Sequence, residues 1–416
     1  MKRIEFGLVG EKLSHSHSPR IHRMLSDYKY ELIEVDGAGL RKLLSAREFR
    51  GLNVTIPYKV DALEYCDVLT DDARAVGSVN TLVVDQGGRL IGDNTDLYGF
   101  EELALHAGIS MENRKALILG SGGSSRMAQA AARRAGAREI VVVSRGGPVD
   151  YQIAAAEHDD ADIIINTTPV GMYPNNGAAP VHLADYPRCA GVIDLIYNPL
   201  RTALLLSARS RGIPCADGLP MLIAQARRAA QRFTGNEIER ERDAVIDRAL
   251  RLEQTNVVLI GMPGSGKSAI GRRLADRMRR PFVDIDERIA ETAGVDIPTI
   301  FSEQGEAAFR ALEREATAEA GKRQGLVIAV GGGCPIDPRN ADALRQNGVL
   351  IWVRRSLEQL ATSGRPLSTG LDALRAIEKA REPIYQRTGD VQIANDGGVE
   401  EAVEAAFQAI SERQFI

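Results

Sequence analysis

The segment GMPGSGKS, Gly261 to Ser268, has the spacing G-x-x-x-x-G-K-S between the apolar run VVLI and an amphipathic stretch. Gly264 and Gly266 flank Ser265, so backbone N–H groups there can wrap a phosphate, and a helix starting behind them adds a favourable field. Lys267 then neutralises β/γ-phosphate charge and Ser268 ligates Mg2+. The motif alone specifies only a nucleoside triphosphate, because ATPases, GTPases and small-molecule kinases share it. FVDIDERI narrows the chemistry: Asp284 and Asp286, two apart at a strand end, fall on one side, where one carboxylate reaches Mg2+ and the other an acceptor hydroxyl. AAFRALERE carries Arg310 on a helix, VIAVGGG sets Gly331, Gly332 and Gly333 behind a buried strand, and KAREPIY brings Arg381. Either arginine alone reads as a solvated helix charge; guanidinium groups acting together suit a carboxylate-bearing acceptor.

A second set of reactive residue types lies far upstream. LSHSHSPRIH holds Ser16 and Ser18 just before a helix with Pro19 at its start, and two hydroxyls at a helix N-terminus can hold a carboxylate. Alone, Ser18 reads equally as a plain N-cap. LNVTIPYK adds Asn53, Thr55 and Lys59, GSVNTL adds Asn80, and GDNTD adds Asp96. In LILGSGGSSRMA, Gly120, Gly122 and Gly123 follow a strand and precede a helix, so the turn can approach a pyrophosphate. The next strand ends VVVSR, with Ser144 and Arg145 where an NAD site usually has an acidic residue; Arg145 would attract a 2′-phosphate, which favours NADP. All six histidines precede residue 183. His15, His17 and His22 have neither carboxylates nor cysteines at ligand spacing and read as structural or loop residues.

These groups must be held by alternating strands and helices, the signature of parallel α/β layers. Strands read at IEFGLVG, YELIEV and LNVTI, with a hairpin in NTLVVDQGGRLIGDN turned on Gly87 and Gly88. A second unit runs from KALILG through EIVVVSR, DIIINTT and GVIDLIY to about Gly218. Two helical stretches follow, the second with an apolar face at Ile238, Val245, Ala249 and Leu252. Only Glu253, Gln254 and Thr255 then precede the third unit, which predicts a close attachment in place of a flexible linker. The 416 residues, 44% hydrophobic and 26% charged, describe an ordinary globular chain. With 52 basic and 56 acidic residues spread without blocks, the expected partners are small molecules, with no nucleic acid and no membrane. Four scattered cysteines without a CxxC pair indicate reduced thiols and a cytoplasmic protein. The N-terminal apolar run is broken at Glu11, too early for a signal peptide, and no run elsewhere approaches spanning length.

From about residue 256 to the C-terminus the chain resembles shikimate kinase. The resemblance implies that Asp286, Arg310, Gly332 and Arg381 bind shikimate, that Asp284 joins Ser268 at Mg2+, and that Arg365 in SGRPLS is the mobile-lid arginine meeting the transferring phosphoryl group. Two positions depart from that family. LEQLATSGRPL lacks the arginine that stacks on adenine, and Ala269 replaces a usual threonine. Residues 3 to 252 resemble shikimate dehydrogenase in the order and spacing of Ser16, Ser18, Asn53, Thr55, Lys59, Asn80 and Asp96. Tyr197 in DLIYNPL and Gln225 in LIAQA fall where that family has substrate-binding side chains, and Gly218 where it contacts the cofactor. Reducing a ketone by hydride leaves an alkoxide, which Lys59 would protonate while Asp96 holds the lysine and a substrate hydroxyl. Leu97 stands where glycine is usual, and Val149 where a second arginine is common.

The implied architecture is an N-terminal α/β substrate domain (1–100, completed by helices in 219–252), a Rossmann NADP-binding domain (101–218) and a P-loop kinase α/β domain (256–416). The implied activity is bifunctional: NADPH-dependent reduction of 3-dehydroshikimate to shikimate, then MgATP-dependent phosphorylation at the 3-hydroxyl. Two alternatives stay open, a nucleotide-sensing or scaffolding third domain and a quinate dehydrogenase using NAD. Oligomeric state is not specified.

Overall fold

β-Branched and aromatic residues fit a pleated, half-buried surface, and the runs rich in them form strands in three sheets. A computed structural model describes residues 4–13, 16–360 and 371–413, apart from the side chains of residues 371 and 373. The first sheet contains β1 (Ile4–Gly10), β2 (Tyr30–Glu34), β3 (Phe49–Val54), β4 (Val68–Leu69), β5 (Thr81–Val84) and β6 (Leu90–Asp93), ordered β2-β1-β3-β5-β6-β4. β1 pairs in parallel with β2 and β3, whereas β5 runs antiparallel to β3 and β6. The β5–β6 pair is the expected hairpin, and Gly88 takes a positive φ of 79° in its turn.

The second sheet is all parallel: β7 (Lys115–Leu119), β8 (Glu139–Val143), β9 (Ile163–Asn166), β10 (Gly191–Asp194) and β11 (Cys215–Ala216), ordered β11-β10-β9-β7-β8. From β7 the chain moves outward to β8 and then returns to the other side of β7 for β9. The crevice beyond the carboxyl ends of β7 and β9 is therefore a topological switch point, where dinucleotides bind in such sheets. The third sheet, also parallel, has β12 (Asn256–Ile260), β13 (Phe282–Asp284), β14 (Val327–Ala329), β15 (Gly348–Arg354) and β16 (Val391–Ala394) in the order β13-β14-β12-β15-β16. β12 is central and buried throughout, as its unbroken apolar run requires.

The chain divides into two compact units, one of Met1–Val170, Ala179–Tyr197 and Ser207–Asp247, the other of Gly171–Ala178, Asn198–Leu206 and Arg248–Ile416. In the first, the helices Thr95–His106 and Leu219–Thr234 pack so closely that a Cβ on Gly99 would lie 2.7 Å from the Met221 carbonyl oxygen. Leu97, the departure from glycine, is fully buried in the core with Phe100 and Leu103. In the second unit, Asn347 accepts the Leu200 N–H at 3.0 Å and donates to the Gly321 carbonyl at 3.1 Å.

One sequence expectation fails. The helix Glu241–Gln254 excludes Ile238 and buries Ile246 and Leu250, while Val245 is 60% exposed. The apolar face is shifted by one residue because tertiary packing selected a different side of a weakly amphipathic helix. That helix also runs to Gln254, leaving Thr255 alone before β12. Among the described residues no helix is long and apolar enough to cross a membrane.

Candidate active sites

β3 delivers the first site. Beyond its end, the chain turns through Thr55 and Pro57 to Lys59, whose carbonyl accepts the Val79 N–H at 2.8 Å. Asp96 lies in the first turn of the helix Thr95–His106. Two asparagines fix that turn: Asn94 caps it by accepting the Leu97 N–H, and Asn80 Oδ1 accepts the Thr95 N–H at 2.7 Å. Lys59 Nζ consequently meets Asp96 Oδ2 at 2.6 Å, with both groups partly accessible. The buried Leu97 leaves this contact intact.

Lys59 and Asp96 face a cavity of about 200 Å3, also lined by Ser78, Tyr197, Gly218, Met221, Gln225, Gly123 and Ser124. A proton donor thus shares one space with the turn that opens the helix Gly123–Arg134. Burial raises the Tyr197 phenol above its usual range. Gln225 donates to the Leu222 carbonyl at 2.7 Å. Asn53 and Asn80 are buried and lie outside the cavity lining, and Thr55 is half-buried beside them. Ser16 and Ser18 stand at the helix Ser18–Leu25, where Ser16 Oγ accepts the Ser18 N–H at 3.2 Å. Ser18 is the helix's first residue and His17 its cap position, so Ser18 is not the N-cap. The His17 ring meets Tyr197 edge-on at 5.9 Å, linking this segment to the cavity wall.

The turn after β7 fits a dinucleotide. A Cβ on Gly120 would come within 2.6 Å of Thr167 Oγ1, while Gly122 and Gly123 face open space. No side chain caps the helix behind them, which leaves its first N–H groups for a pyrophosphate. Ser144 and Arg145 follow β8, with Ser144 half-buried and Arg145 exposed. An exposed guanidinium there fits a 2′-phosphate.

β12 delivers the second site. Gly264 and Gly266 adopt positive φ values of 86° and 93°, and Gly266 precedes the helix Lys267–Met278 without a side-chain cap. Lys267 Nζ donates to the Gly261 and Met262 carbonyls at 3.1 and 3.0 Å. Ser265 is fully buried, and its carbonyl accepts from Asn395 at 2.7 Å. Ser268 Oγ donates to Asp284 Oδ2 at 2.5 Å, and a hydroxyl and a carboxylate are the oxygen ligands a hard cation takes. The strand argument for the aspartates fails, because β13 ends at Asp284 and Asp286 stands in the next helix, Ile285–Ala293. They are gathered instead by capping: Asp284 Oδ1 accepts the Asp286 N–H at 3.0 Å.

Asp284, Asp286, Lys267, Ser268, Arg310, Gly332 and Arg381 all line one cavity of about 490 Å3. A Cβ on Gly333 would lie 2.8 Å from the Arg310 guanidinium, so the arginine depends on bare backbone there. Gly332 likewise abuts Pro263, and its carbonyl accepts the Tyr385 hydroxyl at 2.5 Å. Arg365 lies outside the described residues. Sequence reading missed two charged lining residues. Glu313, buried, accepts from Arg310 at 2.7 Å, and burial raises its carboxyl against the pull of that arginine. Its signal was available as the i,i+3 spacing in AAFRALERE. Arg355, just after β15, also lines the cavity and has a buried Nε without a hydrogen-bond partner among the described residues. No motif announces it.

Comparison with known proteins finds matches to two family models along the chain. Residues 8–82 match the family model of the shikimate dehydrogenase substrate binding domain, and residues 263–411 match that of shikimate kinase. The NADP(+)-dependent shikimate dehydrogenase of Clostridium beijerinckii is 36% identical over 244 residues, covering 54% of this chain and 90% of that protein. Shikimate dehydrogenase 1 of Peptoclostridium difficile superposes with a TM-score of 0.55 at 35% identity, covering 60% of this chain and 98% of that one. The Thermus thermophilus shikimate 5-dehydrogenase, solved with NADP(H) and shikimate, gives 0.54 at 31% identity, covering 59% and 99%.

Proposed function

The chain belongs to the shikimate dehydrogenase family with a shikimate kinase segment behind it, and from that premise we propose two consecutive reactions in one polypeptide. The first unit reduces 3-dehydroshikimate to shikimate with NADPH, and the second phosphorylates the shikimate 3-hydroxyl with MgATP. The observation that carries the first reaction is the Lys59–Asp96 contact in one cavity with Gly123 and Ser124.

Gly120, Gly122 and Gly123 would hold NADPH, which would supply a hydride to the ketone carbon. Lys59 gives the resulting alkoxide a proton from its ammonium group and regains one from solvent. Asp96 orients the lysine and accepts a hydrogen bond from a substrate hydroxyl. Ser16 and Ser18 hold the substrate carboxylate, Tyr197 and Gln225 close the cavity around the ring, Asn53, Thr55 and Asn80 support it, and Gly218 admits the cofactor. Ser144 and Arg145 receive the 2′-phosphate.

In the second unit, bound ATP would supply the phosphoryl group and Mg2+ would shield its charge. Gly264, Ser265 and Gly266 would present N–H groups and Lys267 its ammonium to the phosphates, and Ser268 and Asp284 would hold the metal. Arg310 and Arg381 hold the carboxylate beside Gly332. Asp286 accepts the hydroxyl proton as that oxygen bonds to phosphorus, and ADP leaves. Arg365 is assigned to the lid.

The four free cysteines fit a reducing, cytoplasmic setting. The test mixes 3-dehydroshikimate, NADPH and MgATP with the full chain and identifies the product. Shikimate 3-phosphate is expected; accumulation of shikimate would leave the second unit without its activity. Replacing shikimate by quinate, and NADP by NAD, separates this reading from a quinate dehydrogenase.

A further inference from the structure

Arg355 follows the carboxyl end of β15 and lines the second cavity, but no step above uses it. The sheet order β13-β14-β12-β15-β16 decides which substrate it faces. The acceptor groups stand on one side of the central strand: Asp286 follows β13, Gly332 and Gly333 follow β14, and the Arg310 guanidinium lies against Gly333. Arg355 stands on the other side. The phosphate loop Gly261–Ser268 follows β12 between them, and it is tied to the β15 side. A Cβ on Gly261 would lie 2.4 Å from the Val353 carbonyl oxygen. Asn395, just after β16, makes a second tie: its side chain donates to the Ser265 carbonyl at 2.7 Å and its N–H to the Arg354 carbonyl at 2.8 Å. The backbone that carries Arg355 is thus fixed against the loop that wraps the phosphates.

The neighbouring arginine is engaged elsewhere. Arg354 Nη2 meets Glu382 at 3.1 Å, and its guanidinium lies 5.2 Å from the centre of the Trp352 ring. The turn after the two arginines is held by Ser356, whose N–H donates to Asp396 Oδ1 at 2.8 Å. Arg355 alone has a different character: its Nε is buried and has no hydrogen-bond partner among the described residues. A guanidinium carries donors and no acceptor, and a buried cationic N–H without an acceptor is costly. We propose that Arg355 binds the phosphates of the nucleotide, supplementing Lys267. The proposal rests on the reading of the second unit as an ATP-dependent kinase. The triphosphate is the anion on this side of the loop, since the acceptor's carboxylate lies with Arg310 across it. LEQLATSGRPL lacks the arginine that stacks on adenine, so the hold on ATP shifts from its base toward its phosphates.

The test titrates ADP with Mg2+, and separately inorganic tripolyphosphate, into the full chain and its R355A and R355K variants, and measures KM for ATP and for shikimate in the same proteins. R355A should weaken ADP and tripolyphosphate alike, by about ten- to a hundredfold, the range of one charged hydrogen bond. KM for ATP should rise by a similar factor, while KM for shikimate stays within about twofold. R355K keeps the charge but loses the planar fork, and should fall between R355A and the parent. If R355A weakens ADP and not tripolyphosphate, or if tripolyphosphate does not bind the parent, Arg355 does not read the phosphates. Unchanged ADP binding in both variants also overturns the proposal. Should KM for shikimate rise as much as KM for ATP, the substitution distorts the whole cavity and the proposal falls. A parent chain that binds ADP yet phosphorylates no shikimate refutes the kinase reading, and the two titrations still decide the role of Arg355.

Discussion

Lys59 and Asp96 are 37 positions apart in sequence and 2.6 Å apart in the fold. An ammonium so placed loses both general-acid and electrostatic contributions when truncated. Lys59→Ala should lower dehydrogenase kcat about 10²- to 10⁴-fold and leave kinase turnover unchanged; a loss below about tenfold in steady-state assays would remove it from the mechanism. Arg145 offers a separate measure, because its guanidinium has no reason to touch NAD. Arg145→Ala should weaken NADP binding about ten- to a hundredfold by titration and spare NAD. Equal weakening of both would show that it does not read the 2′-phosphate. The Lys59–Asp96 pairing was legible in the sequence because each residue sits in a short stretch of candidate site residues. Glu313 stood inside a stretch read only for Arg310, and Arg355 belongs to no motif. Asn53 accepts from Tyr30, 23 positions away, and such pairings are set by the register of β1 with β2 and β3.

At the scale of elements, strands were easier to read than helix faces. The parallel runs are apolar on both sides, so their pattern survives any packing. Which side of the helix Glu241–Gln254 faces inward was decided by its neighbours, and the aspartate pair was gathered by a helix cap that strand periodicity does not describe. The helix Ser18–Leu25 carries a further consequence. Burial lowers His22 from its usual 6.5 to about 3, against a smaller opposing effect of Asn53. Above about pH 6.5 neither the folded nor the unfolded state protonates this ring, and its contribution is fully present. As pH falls from 6.5 toward 3, the unfolded chain takes up a proton that the native helix refuses, and stability drops by at most about 1.4 kcal/mol per pH unit. His22→Phe should therefore flatten the pH dependence of the first unit's urea midpoint over that window, whatever it costs at pH 8. Dehydrogenase activity follows that unit, while fluorescence of Trp352, the single tryptophan, follows the second. Parallel pH profiles for variant and parent would locate the acid sensitivity elsewhere.

For the whole molecule, one chain fixes one kinase site for each dehydrogenase site. That stoichiometry does not tether shikimate, which is free between the two reactions. Effective concentration rises for ligands that stay linked, not for a product that diffuses, so joining the units does not by itself retain the intermediate. The expected gain is thermodynamic. Phosphoryl transfer from ATP removes shikimate and draws the reversible reduction forward by mass action, with no passage between cavities required. Isotopically labelled shikimate added during turnover of 3-dehydroshikimate, NADPH and MgATP should mix with the shikimate made by the first unit. Labelled and unlabelled shikimate 3-phosphate should then appear in the proportions of the mixed pool, measured by mass spectrometry. Exclusion of the label while unlabelled product still forms would mean that the intermediate passes directly from site to site, and coupling by mass action would not account for the two activities sharing a chain.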